Sequence, residues 1–427
     1  MFSRRRTRQL PPPGPLTILT LRPEGTFMIA RLAGTALLTA ALAFPTSSAW
    51  AEDDPVIAGS VVPDADPFYV PPSDLASYRD GELVAGREVA ARLGMPLRAW
   101  QLAYRTNDSH GAPELAVTTV LVPTAPWTGF GPRPVVSAQL PEDATGTRCA
   151  PSYGIVTGTV QSAEPVAHML ARGWVVAVPD FEGPKSAFFT GPQSAHAVLD
   201  GIRAVGQFAP AGVGPDAIWG LDGYSGGAAA TGWAAQLQPS YAPELTFAGA
   251  AIGGLPADLN AITAYFDGGI FSGYNFGILV AFQREFPEAG IDSLLDERGR
   301  AALIEAGDAC VNDLQYRFAF RRLADYSHVV DPLRDPRLAN VLRDNSLGAT
   351  APTMPIYSYH VLTDEIIPVG QADSLIARWR DAGTTIVTVR DLIDEHGFYS
   401  LRRMPDAQNF LQDRIAAVAT ENDGPGS

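Results

Sequence analysis

Ser225 has the setting most suited to chemistry. It stands at the centre of Gly223-Tyr224-Ser225-Gly226-Gly227, after the apolar run Ala-Ile-Trp-Gly-Leu and before an alanine-rich segment beginning at Ala228. A serine that attacks a carbonyl must be presented on a sharp strand-to-helix turn, with small neighbours that let strand and helix approach each other. Gly223 and Gly227 are such neighbours, and a helix opening at residues 228–230 puts its positive N-terminal end beneath the serine. In a chain with 41 glycines the bare Gly-x-Ser-x-Gly pattern also fits an ordinary glycine-rich turn. The strand pattern before it and the helix pattern after it make it a nucleophile elbow, the signature of a serine hydrolase.

Such a serine needs a base to take its proton and an acid to orient the base. In α/β-hydrolases they follow the nucleophile in the order acid, then histidine. Three histidines follow Ser225: His328 in a long insertion, His360 inside a strand pattern, and His396 in Asp394-Glu395-His396-Gly397-Phe398, just beyond the last expected strand. His396 is therefore the expected base. Asp364, in Leu362-Thr363-Asp364-Glu365-Ile366-Ile367-Pro368 after a strand, is the expected acid, with Glu365, Asp391 and Asp394 as alternatives. The backbone N–H of Gly226 supplies one oxyanion donor. A second should come from residues 139–146, which lack the His-Gly-Gly-Gly pattern, so residue chemistry alone does not identify it. The sequence contains neither a P-loop nor a metal-binding histidine cluster, and no cofactor or metal is expected.

These residues need a scaffold. From about residue 98 short apolar runs alternate with helical patterns, the mark of a mostly parallel α/β sheet with helices on both faces. The runs fall at 115–122, 134–138, 174–178, 217–221, 245–252, 355–361 and 385–389. One helix is expected to open at Glu164-Pro165 and stop at Gly173. Another starts near Pro368, with Ala372, Leu375, Ile376 and Trp379 on one face. An insertion at about 256–350 carries helical patterns at 293–306 and 313–324, and an aromatic, glycine-rich stretch at 264–282. It reads either as a helical cap over an acyl pocket or as a buried helical subdomain whose aromatics are core.

The chain has 427 residues, 46% hydrophobic and 18% charged, enough for a large core. A formal net charge of −15, with no clustered Lys and Arg beyond residues 4–8, argues against nucleic acid as a partner. Residues 1–51 read as a leader and secretory signal: Met28-Ile-Ala-Arg31 is a short positive start, 32–44 an apolar run, and Ala49-Trp50-Ala51 a cleavage site. The apolar run is too short to span a bilayer, so no stable membrane anchor is expected, and Met28 is an alternative start. Residues 52–427 would then form a secreted hydrolase domain, extracellular or in the cell envelope. Cys149 and Cys310 fit one disulfide in an oxidising compartment, or two buried thiols.

Several short segments stand in a definite order along the chain: Asp66-Pro-Phe-Tyr69, Tyr104-Arg-Thr-Asn-Asp, Ala150-Pro-Ser-Tyr153, Val178-Pro-Asp-Phe-Glu-Gly183, the elbow, Asn345-Ser-Leu-Gly348 and Thr363-Asp-Glu-Ile-Ile-Pro368. In this order the chain resembles the Candida-type secretory lipases, the Candida lipase A-like family with many actinobacterial members. The resemblance implies an α/β-hydrolase with an inserted helical cap, acting without a cofactor on carboxylic esters of acylglycerols. It places nucleophile, acid and base on Ser225, Asp364 and His396, and favours a Cys149–Cys310 bridge. An oxyanion aspartate would fall on Asp143, although Leu140-Pro141 stands where an aromatic residue is expected before the acidic pair. The expected partners are a lipid or other ester substrate and transient contact with a lipid interface; no feature of the sequence sets an oligomeric state. A short-chain or non-glyceride carboxylesterase, an acyltransferase or peptidase, and a non-catalytic relative are the competing readings.

Overall fold

The computed structural model describes residues 58–129 and 131–422. The expected leader and signal peptide at 1–51 lie outside the described residues. The strands run β1 Leu83–Val89, β2 Leu97–Asn107, β3 Pro113–Pro123, β4 Val135–Gln139, β5 Val175–Pro179, β6 Ile218–Tyr224, β7 Thr246–Gly253, β8 Ile356–Val361 and β9 Ile386–Asp391. They form one sheet in the order β1-β2-β3-β5-β4-β6-β7-β8-β9. The pairs from β1 to β5 through β2 and β3 are antiparallel, and every pair from β5–β4 to β8–β9 is parallel. The sheet begins earlier than the apolar runs indicated. β1 and β2 mix polar with apolar residues, and their antiparallel hairpin is set by pairing rather than by an uninterrupted apolar run.

Alternation along each strand divides the core between the two faces of the sheet. Val135, Val175, Ala177, Trp219, Leu221 and Ile252 pack on one face against helices Gly191–Gln207, Gly226–Tyr241 and Val369–Asp381. Val136, Val176, Val178, Ala251, Tyr357 and Tyr359 pack on the other, against helices Pro151–Thr157, Glu164–Ala171 and His396–Asn422. Ala372, Leu375, Ile376 and Trp379 are all buried, as their spacing requires. The chain runs outward from β4 to β5 and then returns to β6 on the other side of β4. This reversal opens a crevice at the carboxyl ends of β4 and β6, the place where open α/β sheets bind ligands.

Between β7 and β8 the chain builds a helical layer around its own apolar cluster, which includes Ile262, Phe276, Phe282, Leu303 and Leu314. Its helices depart from the sequence patterns at two points. The pattern at 293–306 is split: a 3₁₀ turn at Ile291–Leu294 is followed by helix Glu297–Ala306, because the Asp296 carboxylate accepts the Gly299 N–H at 2.8 Å and starts the helix there. The pattern at 313–324 is shortened to helix Val311–Phe318. Phe320 takes φ 63° and gives its N–H to the Gly269 carbonyl at 2.7 Å, which ends the helix. Cys149 and Cys310 are bonded to each other, tying this layer to the segment that leads into helix Pro151–Thr157. Among the described residues no helix is long and apolar enough to cross a membrane.

Candidate active site

Ser225 sits between β6 and helix Gly226–Tyr241 at φ 53°, ψ −124°, a conformation that costs a non-glycine residue roughly 1–3 kcal/mol. Its neighbours are tightly enclosed. A methyl group on Gly223 would strike the Gly227 carbonyl, and one on Gly227 would strike the Gln139 carbonyl of β4. The Ser225 N–H is held by Gly253 O at 2.9 Å, so the end of β7 braces the turn.

His396 opens the last helix, His396–Asn422, instead of lying within a loop. Its backbone is anchored on both sides: the N–H donates to Glu365 Oε2 at 3.1 Å, and the carbonyl accepts Tyr224 Oη–H at 2.7 Å. The ring is thereby fixed with Nε2 2.9 Å from Ser225 Oγ and Nδ1 2.7 Å from Asp364 Oδ2. The other Asp364 oxygen accepts the N–H groups of Ile366 at 3.0 Å and Ile367 at 2.7 Å, so the turn after β8 orients the carboxylate. His396 and Asp364 are only 5% and 8% exposed, which leaves their mutual electrostatics little screened.

A third residue on this acid was not singled out by sequence. His360 Nε2 lies 3.1 Å from Asp364 Oδ2 and 2.8 Å from the Ile367 carbonyl. Since the carbonyl can only accept, His360 carries its proton on Nε2 and shares it with the carboxylate. A histidine inside the otherwise apolar, buried strand β8 was the available signal. Burial alone would raise the Asp364 carboxyl. The hydrogen bonds of His360 and His396, the His396 charge and the Ile367 N–H outweigh it and hold the group well below the ordinary carboxylate range. The alternative acids are otherwise engaged: Glu365 accepts the backbone N–H of His396, Asp391 pairs with Arg403, and Asp394 pairs with Arg402. His328 lies in the insertion, its N–H on the Leu294 carbonyl.

Asp143 projects from the loop after β4, at φ 47°. Its Oδ1 lies against Gly226, where an added methyl group would overlap it, and no donor among the described residues reaches that oxygen. Burial pushes this carboxyl up to about 7, against the opposing pull of His396. Ser225, His396 and Asp143 open together on a cavity of about 400 Å³ walled by aromatic and aliphatic side chains that include Phe188, Phe189, Phe266, Tyr274 and Phe398. The insertion's aromatics therefore divide between two uses: Phe276 and Phe282 are core, while Phe266 and Tyr274 also face the cavity. Among the described residues no group of three or more His, Cys, Asp or Glu side chains is placed to hold a metal ion. The arrangement can move a proton from a serine hydroxyl to a neutral imidazole whose tautomer is set by a carboxylate, beside an apolar chamber.

The sequence model of the family described as secretory lipase matches residues 154–423. A probable inactive lipase of Mycobacterium tuberculosis is 33% identical, covering 83% of this chain and 83% of its own. A secreted triacylglycerol lipase of Malassezia restricta is 31% identical over 83% of this chain and 80% of its own. The X-ray structure of Candida antarctica lipase A in its closed state superposes with a TM-score of 0.78 at 27% identity, covering 87% of this chain and 89% of that one.

Proposed function

The chain belongs to the secretory lipase family, in its Candida-type branch, with the α/β-hydrolase fold, and on that premise we propose that it is a secreted lipase hydrolysing acylglycerol esters through an acyl-enzyme on Ser225. The observation that carries this reading is the hydrogen-bonded line Ser225–His396–Asp364, opening on a largely apolar cavity. In the first half-reaction Ser225 Oγ attacks the ester carbonyl, and His396 Nε2 takes its proton and passes it to the leaving alcohol. Water then repeats the sequence on the acyl-enzyme. Asp364 holds His396 with its proton on Nδ1 and stabilises the imidazolium. The helical layer at about 256–350 acts as a cap over the acyl group, and residues 28–51 direct export.

The oxyanion would rest on the Gly226 N–H and on a protonated Asp143, whose Oδ1 already lies beside Gly226. A carboxylic acid donates to an oxyanion and a carboxylate repels it. With the Asp143 carboxyl at about 7, the donor form predominates below that pH and is lost as pH rises through it. The expected kcat/KM profile therefore falls on the alkaline side of about 7. Asp143→Asn, whose amide donates at any pH, should lose that fall, and Asp143→Ala should lower kcat by about 10²–10³. An unchanged alkaline limb in the asparagine variant would remove Asp143 from the mechanism.

The cavity opens beside an exposed apolar rim. Leu392, Ile393 and Phe398, which flank His396, are 75%, 81% and 70% exposed, and Phe398 also lines the cavity. Such a rim suits brief contact with a lipid surface. Burying each such side chain contributes roughly 1.5–3 kcal/mol. Leu392→Ser with Ile393→Ser is therefore expected to cut turnover of emulsified triacylglycerol roughly tenfold or more, while leaving a dissolved short-chain ester unaffected. Equal losses on both substrates would exclude the rim as an interfacial surface.

The deciding experiment compares residues 52–427 on emulsified long-chain triacylglycerol and on a dissolved short-chain ester, each beside Ser225→Ala. Serine-dependent turnover of the emulsion supports a lipase, and turnover of the soluble ester alone supports a carboxylesterase. The name of the Mycobacterium tuberculosis relative makes a non-catalytic protein the competing reading, and absence of turnover on both substrates would favour it.

A further inference from the structure

Three of the segments named above, Asp66-Pro-Phe-Tyr69, Ala150-Pro-Ser-Tyr153 and Val178-Pro-Asp-Phe-Glu-Gly183, have no part in the triad, yet they meet through Tyr69, Ser152 and Asp180. Ser152 donates to Asp180 through its N–H at 2.8 Å and through Oγ at 2.5 Å. Having spent its hydroxyl proton there, it accepts one from Tyr69 Oη at 2.7 Å. Two residues beyond Asp180, Glu182 reaches over to the loop after β4, where its Oε2 accepts the N–H of Ala144, the residue after Asp143, at 3.3 Å. Glu142 returns the contact, its Oε2 accepting the Glu182 N–H at 3.4 Å. Each glutamate thus braces the backbone of the other's loop, and the strained Asp143 peptide lies at the crossing.

Glu142, Asp180 and Glu182 are buried, and burial pushes their carboxyls and that of Asp143 up, with mutual repulsion adding to it at Glu142 and Glu182. The neighbouring charged and titratable groups are committed elsewhere or stand apart. Arg284, on helix Gly273–Glu285, donates to the carbonyls of Thr145, Lys185 and Gly307. Lys185 faces Glu285, Glu114 and Asp108. Arg148 pairs with Asp308 and Asp313, Arg87 with Asp66, and Asp64 accepts from Thr147. His396 and Tyr274 lie within electrostatic reach of Asp143.

We infer that Glu182 and Glu142 are positioning residues that hold Asp143 against Gly226, a role that rests on the reading of Asp143 as an oxyanion donor. Asp180 accepts both donors of Ser152, whereas no donor among the described residues reaches Asp143 Oδ1 or Glu182 Oε1.

A double-mutant cycle on a dissolved ester, joined to infrared spectra of the variants, tests the positioning role. Glu182→Ala should lower kcat about tenfold or more with little change in KM, and should have no further effect in the Asp143→Ala background. Equal losses in both backgrounds would make Glu182 merely structural and overturn the inference. In Glu182→Ala and Glu142→Ala the protonated-carboxyl band that disappears in Asp143→Asn should shift in frequency or broaden as the loop loosens; an unmoved band in both would also overturn it. The infrared reading needs no turnover, so it separates failure of this inference from failure of the lipase reading.

Discussion

Ser225→Ala is expected to reduce kcat on any ester that the protein turns over by about a millionfold, while leaving the fold and substrate affinity nearly unchanged. Ser225 Oγ, held 2.9 Å from His396 Nε2, is the one atom in the arrangement placed both to attack a carbonyl and to hand its proton directly to a base. Without it, hydrolysis must proceed by water acting on a substrate that is merely bound, and the residual rate comes from the oxyanion donors and from binding. Alanine at φ 53° carries a strain similar to that of serine, so no stability change should confuse the result. Steady-state kinetics, with fluorophosphonate labelling of the same preparations, is the check. A labelled or active alanine variant would place the nucleophile elsewhere.

The second large effect concerns the acid. Asp364→Asn is expected to lower kcat by about 10⁴, although the two side chains have the same shape. The carboxylate is surrounded by N–H groups: His396 Nδ1 and His360 Nε2 at one oxygen, and the Ile366 and Ile367 backbones at the other. An amide offers one acceptor and one donor, so in either orientation its NH₂ faces protons it cannot accept. If the NH₂ faces His396, the imidazole must move its proton from Nδ1 to Nε2, and Nε2 can then no longer take the serine proton. If it faces Ile366 and Ile367, two buried backbone donors are left unsatisfied and the turn that aims the acid is lost, at roughly 1–3 kcal/mol for each. The kinetic loss should thus come with a lower Tm, measurable on the same sample. A kcat within tenfold of the parent would show that His396 is oriented by something other than Asp364. The depressed carboxyl also has a stability consequence: its contribution is present above about pH 4, the ordinary carboxylate value, and is lost as pH falls through the lower folded-state value.

The sequence by itself determined the fold class and the order of the candidate residues, because both are written in short-range patterns. Apolar runs of strand length alternating with helical periodicity specify a layered α/β sheet, and a serine between glycines at a strand-to-helix junction specifies its turn. Ala372, Leu375, Ile376 and Trp379 were legible for the same reason, since one face of one helix is a local property. Patterns weakened where the deciding contact was tertiary. The helix at Val311–Phe318 stops because Phe320 finds a carbonyl at Gly269, and the helix that begins at His396 continues past Pro405 while packed on the sheet through Tyr399, Ala407 and Leu411. Only the tertiary structure brought His360 onto Asp364, pinned His396 between Glu365 and Tyr224, and laid Asp143 against Gly226 with Glu182 behind it. These contacts join residues on different strands and loops, some more than 170 positions apart as for Tyr224 and His396. They depend on which strand ends the sheet order places side by side, and no periodicity within a single segment encodes that order.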